Sequence, residues 1–473
     1  MAIDLLLKGG EVVTEGGLVR ADLAVSGEII VGLTSPGESP QAKRVVDVSG
    51  LTVLPGVIDT HSHHREPGFT HKEDIITGTS ASAAGGVTIS VAMPNVYPSP
   101  TTPENLRDMF ALYEKKALID YNVNAAGTNL ETIPALAEMG ILSFKVFMVV
   151  DTGRDYPHMP GIGVHDHGKM LAIFQKVQKT GLPIMVHPHD QELMDEIEKG
   201  YWNEGKHDFR AYAQAYSAFD GVIWDTAVGV LLRLQQATDV RLHVLHLQTI
   251  QCTEMIRAAK AAGRPVTSEV NPWCLWLGND WANIERLGSY ALSYYVPPQH
   301  SAAAWRALLE GVGDVIATDH APHLKEEKEP GWQDGWKAHT GTPSAQDYLS
   351  MLLTDVNDGK IGLKKAVELV SENPAKIFRL YPKKGAIRIG ADADFAIVDM
   401  NHEFTISNEN VISKCGWTPY AGKKCKGKPV HTVVRGKFVY ENGKVIGQPG
   451  HGKKASPLSR GVAKAIAAAH PSA

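Results

Sequence analysis

Several things are scarce in this sequence, and each shortage removes a class of protein. Only 4 of its 473 residues are cysteine (Cys252, Cys274, Cys415 and Cys425), and no two form a CxxC pair. That is too few for a disulfide framework, so a reducing compartment, the cytoplasm, is expected. No apolar run reaches the roughly 18 residues of a membrane-spanning helix. The opening stretch, Met1 to Lys8, runs as a short strand into Gly-Gly and does not read as a signal peptide. Charge of one sign is also lacking: the net value is −5 and no basic block stands out. Neither nucleic acid nor a membrane surface is therefore an expected partner.

What the chain does hold is twenty histidines, and a length too great for one small core. Short β-type runs fill residues 1–50, and the same texture returns at Phe395–Val398, His431–Val434 and Lys437–Tyr440. Two β-rich ends around a different middle suggest one small β-sandwich domain built from both termini, residues 1–54 and 384–449. Between them, apolar runs alternate with helical stretches. The runs are Leu51–Ile58, Val87–Met93, Tyr121–Ala125, Leu142–Met148, Pro183–Val186, Arg241–Leu245, Pro265–Val270 and Asp314–Ala317. Eight such runs over residues 55–383 fit a (β/α)₈ barrel better than an open doubly wound sheet. The tail, 450–473, reads as a disordered end or an arm against another subunit.

Chemistry in such a barrel sits at the C-terminal ends of the strands. The first run leads into His61-Ser62-His63, and alternate residues of an extended segment face one way, so both imidazoles aim at the mouth. Taken alone, that pair could equally be surface histidines. The fourth run carries Lys145 among apolar neighbours; its amine either snorkels out or reacts with carbon dioxide to give a carbamate ligand. The fifth ends at His187, the sixth at His246 and the eighth at Asp319. Ligand types at the ends of five strands point to a metal centre. His61, His63 and Asp319 would hold one ion, His187 and His246 a second, with carbamylated Lys145 bridging. A donor set of nitrogen and oxygen without thiolate suits two zinc ions and leaves manganese or iron open. Asp319 would act as the catalytic acid–base, taking the proton of the attacking water and passing it to a leaving nitrogen.

With Pro55-Gly56 through Gly68, Ser143–Met148, Thr318–His323 and Gly416–Tyr420, the chain resembles the cyclic amidohydrolases: dihydroorotase, allantoinase and hydantoinase/dihydropyrimidinase. The resemblance spans nearly the whole chain. It implies a two-metal hydrolase of a small cyclic amide, working as a homodimer or homotetramer. Arg65-Glu66-Pro67-Gly68, Lys72-Glu73-Asp74, Gly85-Gly86 and Met93-Pro94-Asn95 look most like dihydroorotase. That likeness implies that Arg65 and Asn95 hold a substrate carboxylate with help from His323, and that Asn271 lies beside the substrate. The sequence departs from the pattern at three places: Val149-Val150-Asp151 lacks the substrate-binding tyrosine of hydantoinases, Pro188-His189 replaces Ala-Glu, and Trp273 stands where a histidine is usual. A scaffold relative without catalysis and a one-metal deaminase both fit worse, since all six candidate ligands, Lys145 among them, are present.

The remaining features read more plainly. The loop Asp151–Gly168, with His158, His165 and His167, would be either a lid over the mouth or an exposed loop. His243 falls on the opposite strand face from His246 and should pack, His64 turns away from its neighbours but adjoins Arg65, and His320 should be structural. Gly85-Gly86 is expected to serve close backbone packing. Trp332 and Trp336 would line the mouth or meet a neighbouring subunit.

Overall fold

Gly56 divides the apolar run Leu51–Ile58, which reads in the sequence as one strand, between two different sheets. In the computed structural model, which describes residues 2–38, 40–149, 161–291 and 294–459, five strands come first. They are β1 (Ile3–Thr14), β2 (Gly17–Ser26), β3 (Ile29–Thr34), β4 (Ala42–Asp47) and β5 (Thr52–Pro55). Next come β6 (Val57–Ser62), β7 (Val87–Ala92), β8 (Asp120–Ala126) and β9 (Ser143–Phe147). Then follow β10 (Ile184–His187), β11 (Leu242–Val244), β12 (Val266–Val270) and β13 (Val315–Ile316). The chain closes with β14 (Phe395–Thr405), β15 (Lys424–Val434), β16 (Lys437–Glu441) and β17 (Lys444–Val445). A Cβ on Gly56 would lie 2.1 Å from Thr88 Oγ1, so only glycine lets the chain turn from one sheet into the other there.

Strands β6 to β13 pair in parallel and in sequence order. A bridge from Ser62 to His320, with His63 N donating to His320 O at 2.7 Å, joins the last strand to the first. This is the (β/α)₈ barrel. Its strands are buried on both faces because helices cover the outside; every residue of β7 is buried. The helix Pro103–Lys116 shows the pattern: Thr102 Oγ1 caps it, accepting from Asn105 N, and Leu106, Met109 and Tyr113 form its buried stripe. Gly85 and Gly86 do lie under close packing, since a Cβ at Gly85 would meet Ala345 O at 2.1 Å.

The terminal strands form one hydrogen-bonded sheet, ordered β17-β16-β15-β14-β5-β1-β2-β3, with β4 added on β1. The sandwich is thus a fork. Residues Ile3–Lys8 of β1 pair with β4, whereas Glu11 and Val12 pair with β5, and the register breaks at Gly9-Gly10 between them. Leu7, Leu23, Val53, Phe395 and Ile397 share its core. Lys384 joins this sheet to the barrel: its Nζ lies 2.6 Å from Asp120 at the start of β8, 2.9 Å from Asp392 and 2.6 Å from Asp394.

One expectation for the tail needs correction. Residues 450–459 pack on their own barrel, where Tyr121 N donates to Lys453 O at 3.1 Å and Ala455 N donates to Tyr121 O at 2.9 Å. Residues 460–473 lie outside the described set. Among the described residues no helix is long and apolar enough to cross a membrane, and all four cysteines are buried and free.

Candidate metal centre and active site

The strand alternation that aims His61 and His63 inward also reaches back to Asp59. Asp59 accepts from Thr318 N at 3.0 Å, from Thr318 Oγ1 at 2.7 Å and from His61 N at 3.3 Å. It staples the end of β6 to the segment that carries Asp319, and burial lifts its carboxyl to about 7. Asp319 then stands in the left-handed region at φ 47, as do His246 at φ 55 and Arg65 at φ 60. Such backbone costs roughly 1–3 kcal/mol per residue and is retained where a side chain must be aimed. Here it turns three side chains into the mouth.

Three imidazoles meet at Asp319. Its Oδ1 lies 3.2 Å from His61 Nε2 and 3.3 Å from His63 Nε2, and its Oδ2 lies 3.8 Å from His246 Nε2. The ring of His187 lies 5.0 Å from that of His246. On their far sides the rings are held by side chains: His61 Nδ1 by Glu269 Oε1 at 2.9 Å, His63 Nδ1 by Asn95 Oδ1 at 2.6 Å. Those contacts put the proton of each ring on Nδ1, so two Nε2 lone pairs face a carboxylate. Lone pair against anion is repulsive unless a cation sits between them, and this is the arrangement of a cation site. His61, His246 and Asp319 offer ligand atoms all within 4.8 Å of one another. Burial holds His61 and His63 down to about 3 and His246 to about 4, so all three are neutral and ready to ligate at pH 7.

Lys145 completes the set. Its side chain is buried, its Nζ has no hydrogen-bond partner, and it rests 4.2 Å from the centre of the Phe147 ring. It does not snorkel. Desolvation draws its ammonium down to about 7, which makes a neutral amine accessible. The residues present fit a divalent cation and a modified lysine.

The candidate substrate residues divide in two groups. Arg65, 1% exposed, donates Nε to Pro322 O at 3.2 Å and places Nη2 3.0 Å from His323 Nε2, while Nη1 is buried without a partner. Asn95 and Asn271 are turned toward histidines. Asn95 Oδ1 holds His63, and Asn271 caps the helix Pro272–Trp276 through Oδ1 while its Nδ2 contacts Tyr294 Oη at 3.1 Å and His246 Nδ1 at 3.3 Å. His64 points into the core against Tyr113 Oη at 2.8 Å and Ser90 Oγ at 3.2 Å. His243 packs on Phe378 and hydrogen-bonds Thr267 Oγ1 at 2.8 Å. His320 accepts from Ser344 N at 3.1 Å. Trp336 packs edge-on to Tyr212 and Trp332 to Phe209, both within the chain.

Of the expected lid, residues 151–160 with His158 lie outside the described residues. His165 and His167 line a cavity of about 350 Å³ together with Met148, His189 and Glu192. Two residues escaped the sequence reading: Asp59 and Glu269, each 0% exposed. Both obey the period of two, as Asp59-x-His61-x-His63 and Glu269-x-Asn271.

A parallel barrel with histidine, lysine and aspartate at the mouths of five strands, and no thiolate, defines a hydrolase centre built for a divalent cation. The chain belongs to the amidohydrolase family, whose model matches residues 52–439. It is 31% identical over 460 residues to an L-hydantoinase of Paenarthrobacter aurescens, covering 95% of this chain and 97% of that protein. An allantoinase of Desulfitobacterium hafniense is 32% identical over 456 residues (94% and 97% covered), and a dihydroorotase of Lactobacillus gasseri 33% over 443 residues (93% and 99%). The structure of the L-hydantoinase (dihydropyrimidinase) from Arthrobacter aurescens superposes with a TM-score of 0.90 at 29% identity, covering 96% of this chain and 100% of that one.

Proposed function

We propose that the chain hydrolyses the ring C–N bond of a small cyclic ureide or imide bearing a carboxylate, in the manner of a dihydroorotase. The observation that carries the hydrolytic reading is the convergence of His61, His63 and His246 on Asp319 beside a buried, unpartnered Lys145. In this reading His61, His63 and Asp319 would hold one zinc ion and His187 and His246 a second, with carboxylated Lys145 supplying an oxygen ligand. Addition of carbon dioxide to the neutral Lys145 amine releases one proton and replaces a stranded cation with an anionic oxygen ligand. The ions, when bound, polarise the ring carbonyl and bring the pKa of a water down towards roughly 7.

Asp319 is the acid–base. It accepts the proton of the attacking water and returns it to the ring nitrogen as the C–N bond breaks. Asp319 is the carboxylate on which His61, His63 and His246 converge through their Nε2 atoms. Arg65 and His323 select the substrate: the free Nη1 of Arg65 is a buried donor with no protein acceptor, and a carboxylate on the ring supplies one. Asn95 acts behind His63, orienting its ring, and Asn271 meets His246 from behind with its Nδ2 donor.

A second reading, hydrolysis of a neutral hydantoin or allantoin ring, is favoured by the hydantoinase superposition. One panel separates them. Protein supplied with zinc and bicarbonate is assayed on dihydroorotate, allantoin, hydantoin and dihydrouracil. The proposal expects dihydroorotate first; a preference for uncharged rings selects the second reading, and no ring opening at all refutes both. A homodimer or homotetramer in the cytoplasm accompanies the proposal, and sedimentation tests the assembly.

A further inference from the structure

Glu269 lies on β12, none of its surface exposed. Its Oε1 accepts from His61 Nδ1 at 2.9 Å and stands 3.6 Å from His246 Nδ1, while Oε2 is buried without a hydrogen-bond partner. Burying a carboxylate with one oxygen unsatisfied is costly. An apolar side chain would fill that place in β12 without the cost, so the position is explained by what Oε1 does.

Under the ligand assignment above, on which this inference rests, His61 and His246 serve different ions. One oxygen stands behind both rings. We propose that Glu269 is a positioning residue that fixes the tautomer of His61 and His246 together and thereby couples the filling of the two ion positions.

The neighbours of His246 make the point sharper. Asn271 spends Oδ1 on Cys274 N, so the atom it turns to His246 Nδ1 is the Nδ2 donor, at 3.3 Å. A donor there favours the ring form with its proton on Nε2, which cannot ligate. The Glu269 carboxylate, 3.6 Å away and beyond hydrogen-bond length, favours the opposite form through charge attraction, with Nδ1 protonated and the Nε2 lone pair turned to Asp319. For His61 no competing donor intervenes, and the 2.9 Å contact holds the ligating form directly. Asn95 does the same for His63 with a neutral amide, but it reaches one ring only.

The test is zinc binding to metal-free protein, read by competition with a chelator and by metal content, for wild type, Glu269→Ala, Glu269→Gln and His61→Ala. Removing such a partner typically weakens metal binding by about 10–100-fold. Glu269→Ala should show a loss of that size for both ions at once, and Glu269→Gln a smaller one, since its amide oxygen still accepts from His61. The KM of the ring substrate should hold while kcat falls and is regained in excess zinc. A merely structural glutamate would instead lower the melting temperature of the metal-free protein and leave zinc affinity alone. Zinc affinity within twofold of wild type in Glu269→Ala, beside a clear loss in His61→Ala, overturns the brace. Undiminished binding in His61→Ala overturns the ligand assignment, and the brace with it.

Discussion

Replacing Arg65 by methionine should separate charge recognition from catalysis. In the structure Nε and Nη2 of Arg65 are engaged, and the two N–H groups of Nη1 are the ones left for a ligand. Hydrogen bonds to a charged group contribute about 1.5–3 kcal/mol each, so two at the lower bound give about 3 kcal/mol. That corresponds to a fall of roughly 10²-fold in kcat/KM for a ring with a carboxylate. Methionine keeps the apolar stem, so an uncharged ring should lose less than about fivefold. The fold should suffer little: the carboxylates of Glu327, Asp319 and Glu73 act on Arg65 through charge but none hydrogen-bonds it directly, and methionine spares the desolvation of a buried cation. The assay is kcat/KM for dihydroorotate and dihydrouracil side by side, with melting temperatures of both proteins. Equal losses on the two rings would refute the argument, because Arg65 would then act on the reaction centre and not on the carboxylate.

Three further outcomes follow from the geometry. Lys145→Ala should lose tight metal loading and ring opening together; a fully active variant would remove the bridging carbamate from the mechanism. His243 is buried and held down to about 3 by desolvation. Its folded value lies below its unfolded 6.5, so the unfolded chain binds the extra proton and stability falls as pH drops below 6.5. His243→Gln, which keeps a bond to Thr267, should therefore lose about 1 kcal/mol less than wild type between pH 7 and 5.5 in urea unfolding, and identical acid losses would contradict this. Lys384→Met should strand Asp394, while Asp120 keeps Arg435 and Asp392 keeps Lys383, and destabilise the protein by about 3–5 kcal/mol, read as a lowered melting temperature and partly restored by adding Asp394→Asn.

The proposed ligand set was legible because all its members but Lys145 fall at the ends of apolar runs, where the barrel rule puts chemistry, and Lys145 is a charged residue inside one. Asp59 and Glu269 were equally patterned, yet an acidic residue inside a run reads as an ordinary polar interruption until its partner on another strand is known. Their partners are Thr318 and His61, each more than 200 residues away. The split at Gly56 was hidden for a related reason: β5 and β6 are a continuous apolar stretch, and what separates them is contact with Thr88, not anything in their own composition. The packing of residues 450–459 was not legible because the pairing of Lys453 and Ala455 with Tyr121 runs through backbone groups, and backbone pairing leaves no mark on side-chain pattern.

Similarity to hydantoinase in backbone and to dihydroorotase in motif are compatible once the two layers of the site are separated. Inner residues, His61, His63, Lys145, His187, His246 and Asp319, are set by where strands end, and any relative with this barrel can share them. Arg65, His323 and the segment from Asn271 to Trp273 come from the loops that follow β6, β13 and β12, where the backbone leaves the ladder and is free to diverge. A TM-score of 0.90 is dominated by the barrel and says little about these few residues. Arg65 is held in a left-handed backbone at φ 60, with its guanidinium buried and one nitrogen left over. Strain and desolvation at one donor that the protein itself does not use are what the proposed preference for a carboxylate rests on, and the side-by-side assay of charged and uncharged rings decides between the loop residues and the global likeness.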